Sequence, residues 1–216
     1  MHWAQLVVGS AAFLSLFVAT VYMLKVKNIK RMFAYSGIEH MGIVMLGVAA
    51  GGIGYYAAIL HVILHAFVKS SLFFQYNQLY RVFQNKSITH IGNYFKYNPT
   101  GAMVLLLGFI SSAAMPPSGL FVSEFLIFKS MFDAKQILLL IVVLLLLTMI
   151  IWAFGKNIFK VLFLPAEGFD DSHVARTSPW ESLSQFLLLA MAVYLGLNPP
   201  PVFVQLLKDS IILLPH

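Results

Sequence analysis

Five runs of mostly apolar residues, at roughly 3–24, 33–50, 55–79, 136–155 and 181–197, each come close to the about 20 residues a helix needs to cross a bilayer. In lipid every backbone polar group must find its partner within the segment, so each run is expected to be an α-helix. A sixth apolar stretch, 101–133, is longer, and AAMPPSG interrupts it. Pro116 and Pro117 each lack an N–H donor and Gly119 adds backbone freedom, so helical hydrogen bonding should fail there. A broken backbone at membrane depth is tolerated only inside protein or beside water. The expected fold is an all-α polytopic transmembrane helix bundle of about six spans, one of them broken, forming a single domain over 1–216. NPPP is a stop signal, and residues 200–214 are expected at the interface or as a short final helix.

The composition agrees. Of 216 residues, 60% are hydrophobic and 10% are charged, against about 25% charged residues in soluble domains. There is no cysteine, which excludes disulfides, thiolate metal sites and redox thiols. The net charge of +6 is read as loop charge that sets orientation and not as a nucleic-acid footprint. The opening MHWAQLVVGSAAFLSLF has no basic leader and no A-x-A site, so it is expected to be a retained membrane helix.

Lys25, Lys27, Lys30 and Arg31 occupy the first connection and Arg81, Lys86 and Lys96 the third, whereas the second, AAGGIG, carries no charge. The first and third are therefore expected on the cytoplasmic side. The loop holding Lys156, Lys160 and Arg176 joins them if 101–133 is one broken span, and lies outside if it is two. The basic residues favour one span, although Glu167, Asp170 and Asp171 share that loop.

Within the apolar runs a few ionisable residues stand out. His61, His65 and Lys69 follow one another at i, i+4, so they share one helix face as a ladder of about 6 Å per rung. A charged side chain at the bilayer centre costs on the order of 3 kcal/mol on insertion scales, and such groups mark ion pathways. Histidine changes charge near neutral pH. A satisfied core histidine or a lysine snorkelling to the interface are the structural alternatives for one such group; three on one face favour a proton relay. Histidines at i, i+4 can also share a metal; haem would need an axial histidine from a second helix, and no other helix offers a mid-membrane pair. Glu124 follows the PPSG break, where ion sites of discontinuous spans sit. Lys129, at i+5 from Glu124, and Asp133, four beyond Lys129, are candidates to neutralise charge there. Glu39 and His40 point about 100° apart on their helix. They either link the basic loop to the ladder, or Glu39 pairs with Arg31 or Lys30. Ser36, Ser70, Ser71 and Tyr35 are candidate holders of bridging waters.

Three segments carry a family resemblance: NIKRMFAYSGIEHMGIVMLG, LHVILHAFVKSSLFFQYNQLY and AAMPPSGLFVSEFLIFKSMF, in this order and spacing. They resemble the antiporter-like subunits shared by respiratory complex I, Mrp-type sodium/proton antiporters and membrane-bound energy-converting hydrogenases. SGIEHMGI, the GGIG turn and LFVSEFLIFK resemble most the hydrogenase-4 and formate hydrogenlyase membrane subunit. The resemblance implies two inverted repeats, each half of a proton path, of which this chain would be the C-terminal one. It places Lys69 as the central lysine, His61 and His65 as relay histidines, and Glu124 as the exit-side group, a lysine in some relatives. Family members are about twice this long, so a partner supplying the missing N-terminal half is implied, within a multi-subunit redox complex of the cell inner membrane. No catalytic residue, cofactor or resident metal is expected in this chain; redox chemistry would belong to partner subunits.

Overall fold

In the computed structural model of the protein, which describes residues 2–168 and 177–212, the apolar runs form helices. They are α1 (His2–Leu24), α2 (Ile29–Ala50), α3 (Ile53–Phe83), the single turn α4 (Tyr94–Tyr97), α5 (Pro99–Ser112), α6 (Gly119–Asp133), α7 (Ile137–Phe163), α8 (Leu183–Leu197) and α9 (Pro201–Ile211). Five segments are long and apolar enough to cross a membrane: Trp3–Leu24, Ile29–Ala50, Ile53–Phe83, Ile137–Phe163 and Pro179–Leu197. The protein is an all-α polytopic membrane bundle. Asp170, Asp171 and Arg176, and residues 213–214 of the final segment, lie outside the described residues.

Local chemistry sets the helix limits. Asn28 caps α2 by accepting the N–H groups of Lys30 and Arg31, at 3.0 and 3.3 Å, so α2 begins at Ile29, four residues ahead of the apolar run expected from the sequence. Gly51 and Gly52, at φ of 74° and 56°, make the turn into α3 in a region that glycine enters without steric cost. Asn98 caps α5 through the N–H of Gly101, with Pro99 in the first turn. The chain leaves helical geometry after Ser112 and resumes it at Gly119, where the Ser118 hydroxyl accepts from Phe121 N–H at 3.2 Å.

The loops tie one end of the bundle together. Ile29 N–H donates to Lys86 O and Ile88 N–H to Lys27 O, joining the first and third connections. Asn93 N–H donates to Leu164 O at 2.7 Å, and Glu167 N–H to Thr89 O at 3.1 Å. Lys156 and Lys160, expected in a loop, lie instead in the last two turns of α7, and the connection that follows this helix lies at the same end as the two basic loops. With α5 leaving that end and α7 returning to it, α5 and α6 together cross the bundle once.

Helix α3 sits at the centre, against α2, α5, α6 and α8, while α1 covers α2. Side chains such as Leu6, Leu14 and Phe17 on α1 and Leu138, Leu145 and Trp152 on α7 face outward, as a lipid-facing surface requires. The α2–α3 hairpin has one close approach. A Cβ on Gly54 would collide with the backbone oxygen of Gly47 and stand 2.7 Å from Ser130 Oγ; one on Gly47 would stand 3.0 Å from Ile127 Cγ1. The two backbones therefore touch, and that contact fixes the register of the hairpin. His40 lies seven residues before Gly47 and His61 seven after Gly54. In antiparallel helices equal steps of about two turns bring the two histidines level.

A buried polar cluster fastens the basic end. Gln75 Nε2 donates to the Tyr94 hydroxyl at 2.6 Å, and Asn98 Nδ2 donates to it at 2.9 Å and to Gln78 Oε1 at 3.2 Å. Burial raises the pKa of the Tyr94 hydroxyl, which keeps it protonated. Tyr94→Phe is expected to leave the Gln75 amide without its partner and to cost about 1–3 kcal/mol. Denaturant titration in detergent micelles checks it; a variant as stable as the wild type would show that the cluster contributes nothing.

Candidate functional site

Helices α2, α3 and α6 bring six ionisable side chains together: Glu39 and His40 from α2, His61, His65 and Lys69 from α3, and Glu124 from α6. All are buried, from 0% exposed for His40 and His61 to 8% for His65 and Lys69.

The ladder along α3 is present, with the His61 and His65 rings 6.2 Å apart and nearly parallel. Its connection, however, runs through α2. His40 Nδ1 stands 3.0 Å from His61 Nε2, and its ring centroid is 4.5 Å from that of His65. The same His40 Nδ1 is 3.6 Å from Glu124 Oε1. His40 is thus where the ladder meets the broken span.

Two serines orient the rings. Ser123 Oγ donates to Leu120 O at 3.0 Å, one turn back on its own helix. With that proton committed, Ser123 Oγ must accept from His61 Nδ1 at 2.9 Å, which leaves His61 Nε2 with a free lone pair. His40 Nδ1–H therefore donates to His61, and His40 Nε2 accepts from the Ser112 hydroxyl at 3.3 Å. The result is a directed chain: Ser112 to His40, His40 to His61, His61 to Ser123, Ser123 to a backbone carbonyl. Ser112 closes α5 and Ser123 lies just inside α6, so both depend on the interruption between these helices.

Lys69 sits at the other end of the cluster. Its Nζ donates to Phe33 O at 3.0 Å and to the Ser36 hydroxyl, both on α2. No hydrogen bond links Lys69 to His65 among the described residues, and His65 Nδ1 is buried without a partner. His65 also borders an open groove of about 560 Å³ between α1, α2 and α3, lined by Ser15, Gly37 and Met41 among others.

The remaining candidates separate. Lys129 pairs with Asp133 at 2.7 Å on the exposed side of α6, away from Glu124. Glu39 is buried and makes no ion pair with Arg31 or Lys30 among the described residues. Ser71 donates to Gln185 O, Ser70 is exposed, and Tyr35 stacks on Tyr22. Ser112 and Ser123 escape sequence reasoning because a serine in an apolar helix ordinarily bonds its own backbone. Their position on either side of the proline break was the available signal.

Residues 1–150 match the family model described as NADH:quinone oxidoreductase/Mrp antiporter, TM. The chain is 32% identical over 202 residues to the hydrogenase-4 component F homolog of Methylacidiphilum infernorum, an alignment covering 93% of this chain and 41% of that protein. It is 29% identical over 145 residues to formate hydrogenlyase subunit 3 of Escherichia coli, covering 62% and 23%. Among solved structures, a chain of the Mrp complex from Dietzia sp. superposes with a TM-score of 0.84 at 16% identity, covering 96% of this chain and 47% of that one. A chain of respiratory complex I from Thermus thermophilus gives 0.80 at 23% identity, covering 96% and 44%. These two likenesses show a common fold. The chain spans less than half the length of the curated relatives it matches.

Proposed function

Because the chain belongs to the NADH:quinone oxidoreductase/Mrp antiporter transmembrane family, we propose that it forms part of a proton-translocating subunit in an energy-converting hydrogenase or complex-I-like assembly of the cytoplasmic membrane. Lys69 stores and releases the proton, His65, His40 and His61 relay it, and Glu124 takes it towards the far side. The observation that carries this reading is the placement of His40 Nδ1 between two acceptors, His61 Nε2 at 3.0 Å and Glu124 Oε1 at 3.6 Å. A proton there has two ways to go, and a small ring movement selects one.

The driving force is electrostatic. In a low dielectric, a charge change on one buried group strongly alters its neighbours' affinity for protons. Glu39, buried in the same cluster as Lys69, is the group that would act in this way, and partner subunits supply the redox chemistry. A partner carrying the other half of the path would place further ionisable groups along the same axis. The basic loops, gathered at one end of the bundle, put that end on the cytoplasmic side.

Glu124→Gln tests the branch, because it keeps the shape of the side chain and removes its proton-accepting charge. In vesicles containing the assembled complex, translocation is expected to fall about tenfold, with bridging waters sustaining the remainder. Unchanged transport would exclude Glu124 from the path. A second reading is favoured by the chain's coverage of only 41% of a full-length relative: a structural or assembly subunit, or a truncated fragment, that keeps the polar cluster without conducting. Its signature is transport that survives the loss of Lys69.

A further inference from the structure

We infer that His40, His61 and His65 form a binding site for a divalent transition cation of the Zn²⁺ class, and that an ion held there blocks the relay. The blocking half rests on the function proposed above; the binding half stands on geometry alone. The sequence supplies only His61 and His65 from one helix. The α2–α3 register adds His40, and one nitrogen from each of the three rings then lies within 4.8 Å of the other two. Zinc–nitrogen bonds of about 2.0–2.1 Å in a tetrahedral arrangement place ligand atoms about 3.3–3.5 Å apart. The His40 and His61 nitrogens stand at 3.0 Å, so small ring movements would admit the ion.

Three further features point to a metal rather than to packing. Metal-binding histidines ordinarily have the other ring nitrogen held by an oxygen, which fixes tautomer and orientation. Here Ser112 holds His40 Nε2 and Ser123 holds His61 Nδ1. The third ring has a buried nitrogen, His65 Nδ1, with no hydrogen-bond partner among the described residues. Finally, Glu124 Oε1, 3.6 Å from His40 Nδ1, places an anionic oxygen beside the cluster as a candidate fourth ligand. Three imidazoles with at most one carboxylate suit Zn²⁺, Co²⁺ or Ni²⁺ and disfavour Mg²⁺ and Ca²⁺, which require oxygen ligands.

Binding needs no redox step and no net loss of a proton from the neutral rings. His61 already presents the Nε2 lone pair. His40 moves its proton from Nδ1 to Nε2, and the Ser112 hydroxyl turns from donor to acceptor. The lone pairs that would pass protons are then engaged by the cation.

The test uses the full chain purified in detergent, with Co²⁺ as a spectroscopic probe and Zn²⁺ as its competitor. One equivalent of Co²⁺ is expected to give visible absorption of a tetrahedral nitrogen-rich site, and Zn²⁺ should displace it. His61→Ala and His65→Ala should each weaken binding about 10–100-fold, whereas His90→Ala in the loop should leave it unchanged. His61→Gln, closer in size, serves if His61→Ala fails to fold. No saturable binding, or binding that survives substitution of both His61 and His65, overturns the site. In vesicles of the assembled complex, Zn²⁺ should inhibit proton translocation in wild type, and removing the ion with a chelator should restore it. Binding without inhibition, in a complex whose transport does depend on Lys69, overturns the blocking role and leaves the site standing. Transport indifferent to Lys69→Ala counts against the relay and leaves the binding result intact.

Discussion

Lys69→Ala is expected to lower proton translocation by the assembled complex about 10²–10⁴-fold, the range lost when a positioned proton-transfer group is removed. Lys69 is the only lysine or arginine among the six converging groups, and α2 holds it in place through Phe33 O and the Ser36 hydroxyl. Alanine at this position removes both the proposed proton carrier and a buried positive charge. Lys69→Arg separates the two effects. It keeps a positive charge in the same place, but a guanidinium does not release its proton in proteins. If the role is proton transfer, arginine fails as alanine does. If the role is only to balance charge, arginine restores transport. The measurement is dye-monitored acidification of vesicles under turnover, with assembly confirmed by native gel. Full transport in either variant would end the assignment of Lys69 as the storing group.

Gly54→Val is expected to destabilise the protein by about 3 kcal/mol and to disable transport although position 54 is two helical turns from His61. The first atom of any side chain at Gly54 meets the Gly47 carbonyl oxygen, with Ser130 Oγ 2.7 Å away on α6. Neither neighbour can yield cheaply: the first is backbone, and the second donates to Ile127 O at 2.7 Å. The hairpin must therefore open or slide. Either movement separates His40 from His61, whose 3.0 Å contact requires the two helices to be level. Unfolding in mixed detergent micelles measures the stability, and the Gly54→Ala variant should fall between wild type and valine. A valine variant within about 0.5 kcal/mol of wild type, the range of an inconsequential surface change, would show that the close approach does not set the register.

The half-length of the chain relative to its relatives bears on how these experiments are read. The residues proposed for the relay and for metal binding all come from the described helices, so the cluster is a property of this chain. The route by which a proton reaches Lys69 or leaves Glu124 belongs to the assembly. Failure of the isolated chain to conduct would therefore leave the proposal unaffected, whereas failure of Lys69→Ala to alter a conducting assembly would remove it.

Much of the site was legible because charge in an apolar run is expensive, and expensive residues stand out. His61, His65 and Lys69 announced a shared face by spacing alone, and Glu124 by its place after the proline break. His40 was legible as one end of a link to the ladder, but the ring it would meet was not. Sequence spacing relates residues on one helix, while His40 meets His61 across two, in a register set where two glycines let backbones touch. Ser112 and Ser123 were hidden for a similar reason, since their hydroxyls gain meaning only when a histidine from another helix arrives.

What the sequence determined by itself was everything that follows from local period and solvent: helices, their apolar faces, the interruption at Pro116 and Pro117, and the ladder on α3. What only the tertiary structure decided was how helices are phased against one another, and with it the meeting of three rings and a carboxylate. Backbone hydrogen bonds within a helix depend on near neighbours in the chain, whereas the level at which two helices lock depends on which side chains are small enough to let them approach.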